Sequence, residues 1–321
     1  MLSRMNYSLT QLEYVLAVHK YGHFAKAAEA CQITQPTLSM QIQKLETNLG
    51  VVIFDRSKKP ILLTDIGTKL ISQIQSILFE ANKIESIIHL SQSGTLEGRL
   101  RVGVIPTIAP YLLPRLLPAV ERTFPALELT LLELQTHRIV EALNSDEIDA
   151  GILATPLKAP QIFEFPLYYE PFSVLCKNDH ELAHFKKAKY SLLKGDDIWL
   201  LSEGHCLRHQ ILDVCSIKQK QKRPSRRKYE FESGSLETLK SLIDKFGGYT
   251  LLPALAQENL GANCELIPFE RPIPAREIGL VYRREHHKKE LIEALGESII
   301  KAIPETISKI RKKDLEVMPI E

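Results

Sequence analysis

Two cysteines nine positions apart are the residues of this chain best suited to redox chemistry. Cys206 lies in the segment Gly204-His205-Cys206-Leu207-Arg208-His209, so three potential cations surround its thiol, and Cys215 follows. The thiolate is the reactive form of cysteine, and nearby positive charge favours it. A sulfenic acid formed on the first sulfur can be trapped by the second as a disulfide. The spacing therefore predicts a redox-active thiol pair.

The segment between the two cysteines is predicted to be helical from Leu207 to Cys215. A helix that begins there favours a thiolate at Cys206 through its dipole, and His205 and Arg208 are expected to add to this effect. Nine residues at a rise of 1.5 Å separate the two positions by about 13 Å. A disulfide needs Cα atoms within about 7 Å. Bond formation therefore requires refolding, and closing a loop of about ten residues constrains the chain by about 3 kcal/mol.

The N-terminal segment has the pattern of a helix-turn-helix. Helices are predicted over 8–20, 24–31 and 35–49, with Thr34 capping the third and Pro36 in its first turn, where a missing N–H costs little. Two helices joined by a tight turn form such a unit, whose polar side chains reach base edges and phosphates. The candidate DNA-binding residues are Thr34, Gln35, Pro36, Thr37, Ser39, Gln43, Lys44 and Arg56.

A wing and a long helix are predicted to follow. Two β-prone runs at 51–54 and 61–63 flank a basic turn, from which Arg56 is expected to reach the minor groove or the DNA backbone. Apolar periodicity from 64 to about 92 predicts a helix about 40 Å long. Its apolar stripe needs a partner, which predicts dimerisation along it. A DNA-binding unit joined to a redox-active thiol pair predicts a regulator that responds to oxidants.

From Arg99 onward strands and helices alternate, which favours a parallel α/β sheet. A strand at 276–282 is expected to return to the first of two lobes and leave a cleft between them. The predicted organisation is a winged helix-turn-helix over 1–66, a linker helix over 67–96 and a regulatory domain over 97–310. Lobe I comprises about 97–168 and 275–310, and lobe II about 169–274. The tail over 311–321 is expected to be peripheral.

The N-terminal pattern resembles the winged helix-turn-helix of the LysR-type transcriptional regulators. The string Gln35-Pro36-Thr37-Leu38-Ser39 carries the resemblance, together with Ala27, Ala28, Glu46 and Gly50. The layout of DNA-binding domain, linker helix and two-lobed, periplasmic-binding-protein-like α/β domain also fits nearly the whole chain. The resemblance implies binding to double-stranded DNA and assembly into homodimers, commonly homotetramers. It also implies RNA polymerase as a partner.

The regulatory half resembles the peroxide-sensing members of that family. The matching strings are Gly103-Val104-Ile105-Pro106-Thr107, Gln135-Thr136-His137, Gly204-His205-Cys206-Leu207-Arg208 with Cys215, and Ile278-Gly279-Leu280-Val281-Tyr282-Arg283. The resemblance implies that Cys206 reacts with hydrogen peroxide, that Cys215 resolves it, and that oxidative-stress genes are controlled. It implies peroxide-positioning roles for Thr107, Thr136, His205, Arg208 and Arg276. A reductant of glutaredoxin or thioredoxin type is expected to reset the switch.

Other interpretations of the same residues remain. The cysteines and histidines around position 206 lack a close Cys-x-x-Cys pair, which disfavours zinc, and no cofactor or metal is expected. A LysR-type regulator that binds a small metabolite in the cleft is the main alternative. A thiol peroxidase is a third, but the DNA reader favours signalling over catalysis.

Bulk composition sets limits on these interpretations. The net charge of +2 is too small to require a nucleic-acid partner, so DNA binding must come from local charge. Five cysteines in 321 residues do not form a disulfide scaffold. With no signal core and no apolar run long enough for a membrane span, a cytoplasmic protein is expected. Seven basic residues between Lys218 and Lys228 are interpreted mainly as a solvated loop.

Overall fold

The structure is a computed structural model that describes residues 6–71, 73–78, 81, 97–193, 197–215, 233–284 and 286–320. The chain divides into two compact units, Met1–Gln92 and Ser93–Glu321. The basic run at 218–228 and most of the segment 67–96, for which a linker helix is predicted, lie outside the described residues.

The N-terminal unit is a winged helix-turn-helix, which confirms the predicted class. Three helices pack around one apolar core that includes Leu12, Val15, Leu38 and Ile42. Two short strands pair antiparallel as the wing, with Phe54 opposite Leu63. The elements are α1 (Leu9–Tyr21), α2 (Phe24–Ala30), α3 (Gln35–Leu49), β1 (Phe54–Asp55), β2 (Leu62–Leu63) and α4, which covers residues 65–71 and 73–78.

Helix α3 has the bounds that its sequence predicts. The side chain of Thr34 accepts a hydrogen bond from the backbone N–H of Thr37 and so caps the first turn. Gly50 ends the helix in the left-handed region, at φ 68°, where a residue with a side chain is strained. Local capping chemistry therefore fixes both ends of the helix that presents the polar residues.

The second unit is a mixed α/β domain. Its strands are β3 (Gly98–Val104), β4 (Leu127–Glu133), β5 (Ala150–Thr155), β6 (Ile162–Lys177), β7 (Tyr249–Pro253), β8 (Cys264–Pro268), β9 (Ile273–Arg283) and β10 (Leu315–Val317). Its helices are α5 (Ala109–Thr123), α6 (Thr136–Asn144), α7 (Cys206–Val214), α8 (Leu236–Phe246), α9 (Lys289–Ala302) and α10 (Glu305–Ser308).

The sheet is mixed rather than parallel. Its order is β4-β3-β5-β9-β6-β7, with β8 also paired to β6 and β10 to β9. Strands β3, β4 and β5 are parallel, as predicted. Strand β9 runs antiparallel to both β5 and β6, because the chain returns to the first lobe from the opposite direction. The predicted parallel arrangement therefore holds for β3, β4 and β5 but does not extend to β9.

Two apolar cores form the lobes of this unit. The first, which includes Leu100, Ile139 and Leu280, lies under β3, β5 and β9 and is called the lobe I core. The second, which includes Val174, Leu207 and Leu251, is called the lobe II core. Strand β6 belongs to both lobes, since residues 162–171 pair with β9 and residues 172–177 pair with β7 and β8.

The C-terminal tail is integrated into the domain, in contrast to its expected peripheral position. Residues 315–317 form β10, which pairs parallel to the start of β9. Met318 and Ile320 are 7% and 5% exposed. This strand is hard to predict from sequence, because β10 has only three residues and follows a run of charged ones.

Candidate redox site and DNA-binding face

Cys206 lies in a small pocket between the two lobes of the second unit. The pocket encloses about 170 Å³, including its mouth, and is lined by Ile105, Pro106, Thr107, Gln135, Thr136, Gly204, His205 and Cys206. Three separate loops contribute these residues: the ends of β3 and β4, and the start of α7. The structure therefore brings together the two threonines and the cysteine that the sequence analysis grouped.

Gly204 lets the loop before α7 approach the end of β4. Its φ is 89°, in the region that favours glycine. A Cβ at this position would lie 2.7 Å from Oε1 of Gln135. A larger residue would therefore be strained by this φ and would displace the side-chain amide of Gln135, which lines the pocket.

A buried arginine holds one of the threonines that line the pocket. Arg276 is fully buried, and its Nε donates to Oε2 of Glu170 over 2.8 Å. Its two terminal nitrogens donate to Oγ1 and to the carbonyl oxygen of Thr107, over 2.8 and 3.1 Å. Oε1 of Glu170 accepts from the backbone N–H of Leu255. Arg276 thus fixes the position of Thr107 and is itself fixed by Glu170.

Burial raises the pKa of the Cys206 thiol above its ordinary value. The charge of Arg276, the hydroxyl of Thr136 and the backbone N–H groups of Leu207 and Cys206 lower it in part. The last two belong to the first turn of α7, where N–H groups are unsatisfied within the helix. The thiolate of Cys206 is therefore less favoured than the helix N-terminus and the neighbouring cations alone predict.

The cation that acts on the sulfur is Arg276 rather than its sequence neighbours. The pKa of His205 is lowered by burial, so its imidazole is neutral near pH 7. The guanidinium of Arg208 donates to the carbonyl oxygen of Leu201 over 2.6 Å and holds the preceding loop. Burial therefore removes the expected contribution of His205 to the charge at Cys206, whereas Arg208 keeps its charge but is directed to a backbone carbonyl.

Thr136 places a hydroxyl beside the sulfur. Its Oγ1 is buried and favours the ionised form of Cys206, yet it makes no hydrogen bond of normal geometry to any described residue. A polar molecule that binds there can recover the free energy of this unmet hydrogen bond. The pocket therefore presents a thiol beside a hydroxyl that is free to bind a small polar molecule.

Cys215 lies at the other end of α7, in the lobe II core. It is 5% exposed, and burial raises the pKa of its thiol to about 12. Cys206 packs instead against the lobe I core. The two sulfurs are thus held at opposite ends of a helix, and both cysteines are free. The remaining cysteines, Cys31, Cys176 and Cys264, are free as well.

The DNA-binding candidates lie at the surface of α3. Gln35, Pro36, Thr37, Gln43 and Lys44 are exposed. Thr34 is also exposed, and Ser39 is half-buried. Met40, which is 60% exposed on the same helix, was missed by the sequence analysis, which weighed only polar side chains.

Arg56 is bound to the recognition helix. Its Nη2 donates to Oε2 of Glu46 over 2.8 Å, and its guanidinium lies 5.2 Å from the centroid of the Phe24 ring. Oε1 of Glu46 accepts from the backbone N–H groups of Ile53 and Phe54. The side chain of Glu46 therefore joins α3 to the wing and holds Arg56 close to the protein.

Replacing Glu46 by Gln is expected to destabilise the N-terminal unit by about 1–3 kcal/mol, because the amide cannot keep all three hydrogen bonds of a buried carboxylate. Thermal unfolding of the full chain measures the loss. Glu29→Gln on the exposed face of α2 is the matched control and should leave stability unchanged. Equal melting temperatures for the two variants would contradict this role of Glu46.

The described residues contain no cluster of histidine, cysteine or acidic side chains that could hold a metal ion. None of their helices combines the length and the apolar character that a membrane span requires.

A DNA-binding unit followed by a two-lobed α/β unit with a half-buried thiol defines a class of bacterial regulator. Residues 9–68 match the family described as bacterial regulatory helix-turn-helix protein, lysR family, and residues 93–303 match the LysR substrate binding domain. The chain belongs to the LysR family.

Individual relatives indicate a particular group within this family. The chain is 36% identical over 308 residues, 94% of its length, to the whole hydrogen peroxide-inducible genes activator of Pectobacterium carotovorum subsp. carotovorum. It is similar to a full-length OxyR mutant of Pseudomonas aeruginosa, with TM-score 0.74, 36% identity, and 91% and 97% of the two chains covered. It is also similar to a hydrogen peroxide-bound cysteine mutant of Corynebacterium glutamicum OxyR, with TM-score 0.60, 33% identity and 94% of both chains covered.

Proposed function

We propose that this chain is a DNA-binding transcriptional regulator that senses hydrogen peroxide through Cys206 and stores the signal as a disulfide with Cys215. One observation carries the proposal. Cys206 shares a narrow pocket with a free hydroxyl and with a threonine fixed by a buried arginine, while a second cysteine ends the same helix. The names of the relatives, which include a peroxide-inducible genes activator, support the same signal.

The two thiols supply the two electrons that reduce hydrogen peroxide to water. The ionised sulfur of Cys206 attacks one oxygen of the peroxide, the O–O bond breaks, and the leaving hydroxide takes a proton to become water. The sulfenic acid is then attacked by the sulfur of Cys215, a second water leaves, and an S–S bond forms. Thr107 and Thr136 orient the peroxide and supply hydrogen bonds to the departing oxygen.

The tightness of the pocket at Cys206 argues against a metabolite. Pockets that bind drug-sized or cofactor-sized ligands enclose about 300–1,000 Å³. The side chains around Cys206 leave no space of that order, so a ligand larger than a few atoms cannot enter without moving them. This weakens the case for a metabolite regulator at this position.

Refolding of α7 links the chemistry to DNA binding in this proposal. The disulfide requires the ends of α7 to approach by several ångströms, so the helix must unwind. Unwinding of α7 changes the surface of the regulatory domain. In a dimer or tetramer this surface forms the interface that sets the spacing of the DNA-binding units. RNA polymerase and a thiol reductant are the further partners proposed.

DNA footprinting of the full chain with and without hydrogen peroxide tests the proposal. The protected region is expected to change length or acquire altered cleavage within it when peroxide is added, and to revert with a thiol reductant. Identical footprints in both redox states would contradict it, and a footprint that changes only with a small metabolite would favour the alternative regulator.

The reactivity of Cys206 is expected to rise with pH. Burial holds the pKa of its thiol above the ordinary value of about 8.5, so the thiolate fraction increases about tenfold per pH unit through pH 6–8. Alkylation rates of the Cys215→Ser variant by iodoacetamide, with the site of labelling mapped by mass, measure this dependence. A plateau below pH 7 would show that the thiolate already dominates at rest.

A further inference from the structure

The C-terminal segment 315–320 touches the helix between the two cysteines. Nε2 of Gln210, in the middle of α7, donates to the carbonyl oxygen of Met318 over 3.3 Å. Gln210 is fully buried, and its Oε1 has no hydrogen-bond partner among the described residues. The polar contact between α7 and the tail is therefore made inside the protein, away from water.

Apolar packing joins the same two elements. Met318 is 7% exposed and belongs to the lobe II core, together with Leu207, Ile211, Val214 and Cys215 of α7. Two residues further on, Ile320 belongs to the lobe I core. The tail thus crosses from one lobe to the other and has a buried side chain in each.

The segment is anchored on its other side by the strand that carries Arg276. Strand β10 pairs with Ile273, Pro274 and Ala275, and the backbone N–H of Met318 donates to the carbonyl oxygen of Ala275 over 2.8 Å. The hydroxyl of Tyr190 donates to Oε2 of Glu316 over 2.7 Å. The tail is therefore bound both to the strand beside the reactive thiol and to the helix that must unwind.

We propose that residues 315–320 act as a strap that binds α7 only in its helical, reduced form and detaches from it when the disulfide forms. This inference rests on the proposed function, because it requires the Cys206–Cys215 bond. When α7 unwinds, Gln210 and the apolar side chains of α7 leave their positions, so Met318 loses its partners. By linkage, whatever binds one form alone stabilises that form and opposes conversion to the other.

The strap has two consequences. The tail becomes accessible to solvent in the oxidised protein, and its binding raises the free-energy cost of forming the disulfide. Weakening the strap should therefore shift the thiol–disulfide equilibrium toward the oxidised form without changing the chemistry at Cys206.

Hydrogen exchange of the full-length protein, followed by mass spectrometry, tests the first consequence. Peptide mapping first establishes whether the Cys206–Cys215 bond has formed. In protein that carries the bond, amide exchange at 315–318 is expected to be at least about tenfold faster than in reduced protein. The Cys215→Ser variant treated with the same peroxide is the control and should keep slow exchange.

The outcomes separate the two proposals. Absence of the bond after peroxide treatment would contradict the proposed function. Presence of the bond with unchanged protection of 315–318 would overturn the strap while leaving the proposed function intact.

Met318→Ala tests the second consequence. The thiol–disulfide equilibrium constant of the variant is measured by titrating the full chain against a glutathione buffer. This constant is expected to favour the disulfide about tenfold more than in wild type, because the variant loses buried contacts that exist only in the reduced form. Lys313→Ala, at an exposed position before β10, is the matched control and should titrate like wild type. An unchanged equilibrium for Met318→Ala would also overturn the strap.

Discussion

The Cys206→Ser protein is expected to give the same DNA footprint with and without hydrogen peroxide. A serine hydroxyl at the start of α7 keeps the shape and the hydrogen bonds of the pocket but cannot form a sulfenic acid or an S–S bond. The loss of response should therefore be complete, while DNA binding by the reduced form is retained. Footprinting of both redox conditions against wild-type protein measures this.

Cys264→Ser is the matched control for that experiment. Cys264 is a half-buried thiol of the same unit, and burial and the charge of Asp244 raise its pKa. It takes no part in the proposed switch, so the variant should respond to peroxide like wild type. A full response of Cys206→Ser, or a lost response of Cys264→Ser, would contradict the assignment of the sensing thiol.

Arg276→Met is expected to have two separable effects. The free energy of unfolding should fall by about 3–5 kcal/mol, because Glu170 is left as a buried charge without its partner. Oxidation of Cys206 by peroxide should also slow by about a hundredfold, because the charge that favours the thiolate and the contact that holds Thr107 are both lost. Chemical denaturation and stopped-flow oxidation measure the two effects.

The double variant Glu170→Gln/Arg276→Met distinguishes reactivity from stability. It removes the unpaired charge and keeps an acceptor for the backbone N–H of Leu255, so most of the lost stability should return. Slow oxidation should persist. Recovery of the oxidation rate together with stability would show that Arg276 acts on the fold alone.

An exposed ion pair provides the control for the stability effect. Arg99 and Glu128 form a salt bridge whose side chains are 81% and 68% exposed. Arg99→Met is expected to change the free energy of unfolding by less than about 1 kcal/mol, because surface pairs contribute little. A loss as large as that of Arg276→Met would argue against the special role of burial.

Local signals predicted the elements that position the site. The Thr34 cap and Gly50 define α3, and strand–turn–helix boundaries place Thr107 and Thr136 after β3 and β4. The predicted helix over 207–215 agrees with α7, which separates Cys206 from Cys215. These features depend on residues close together in sequence, where capping and hydrophobic spacing carry the information.

Features that depend on distant residues were not predictable in the same way. The contact of Arg276 with Glu170 and Thr107 spans 106 and 169 positions, so only the fold brings the three together. The direction in which the pKa of Cys206 shifts depends on burial. Burial raises this pKa, whereas positive charge lowers it. Arg56 and Arg208 looked like free cations, yet each is bound by an acceptor on its own unit.

Peptide mass mapping of the full-length protein after treatment with one equivalent of hydrogen peroxide shows which sulfur atoms become joined. We expect a single new linkage between Cys206 and Cys215, with Cys31, Cys176 and Cys264 remaining free thiols. A protein that stays fully reduced, or that forms its disulfide between other cysteines, would contradict this expectation.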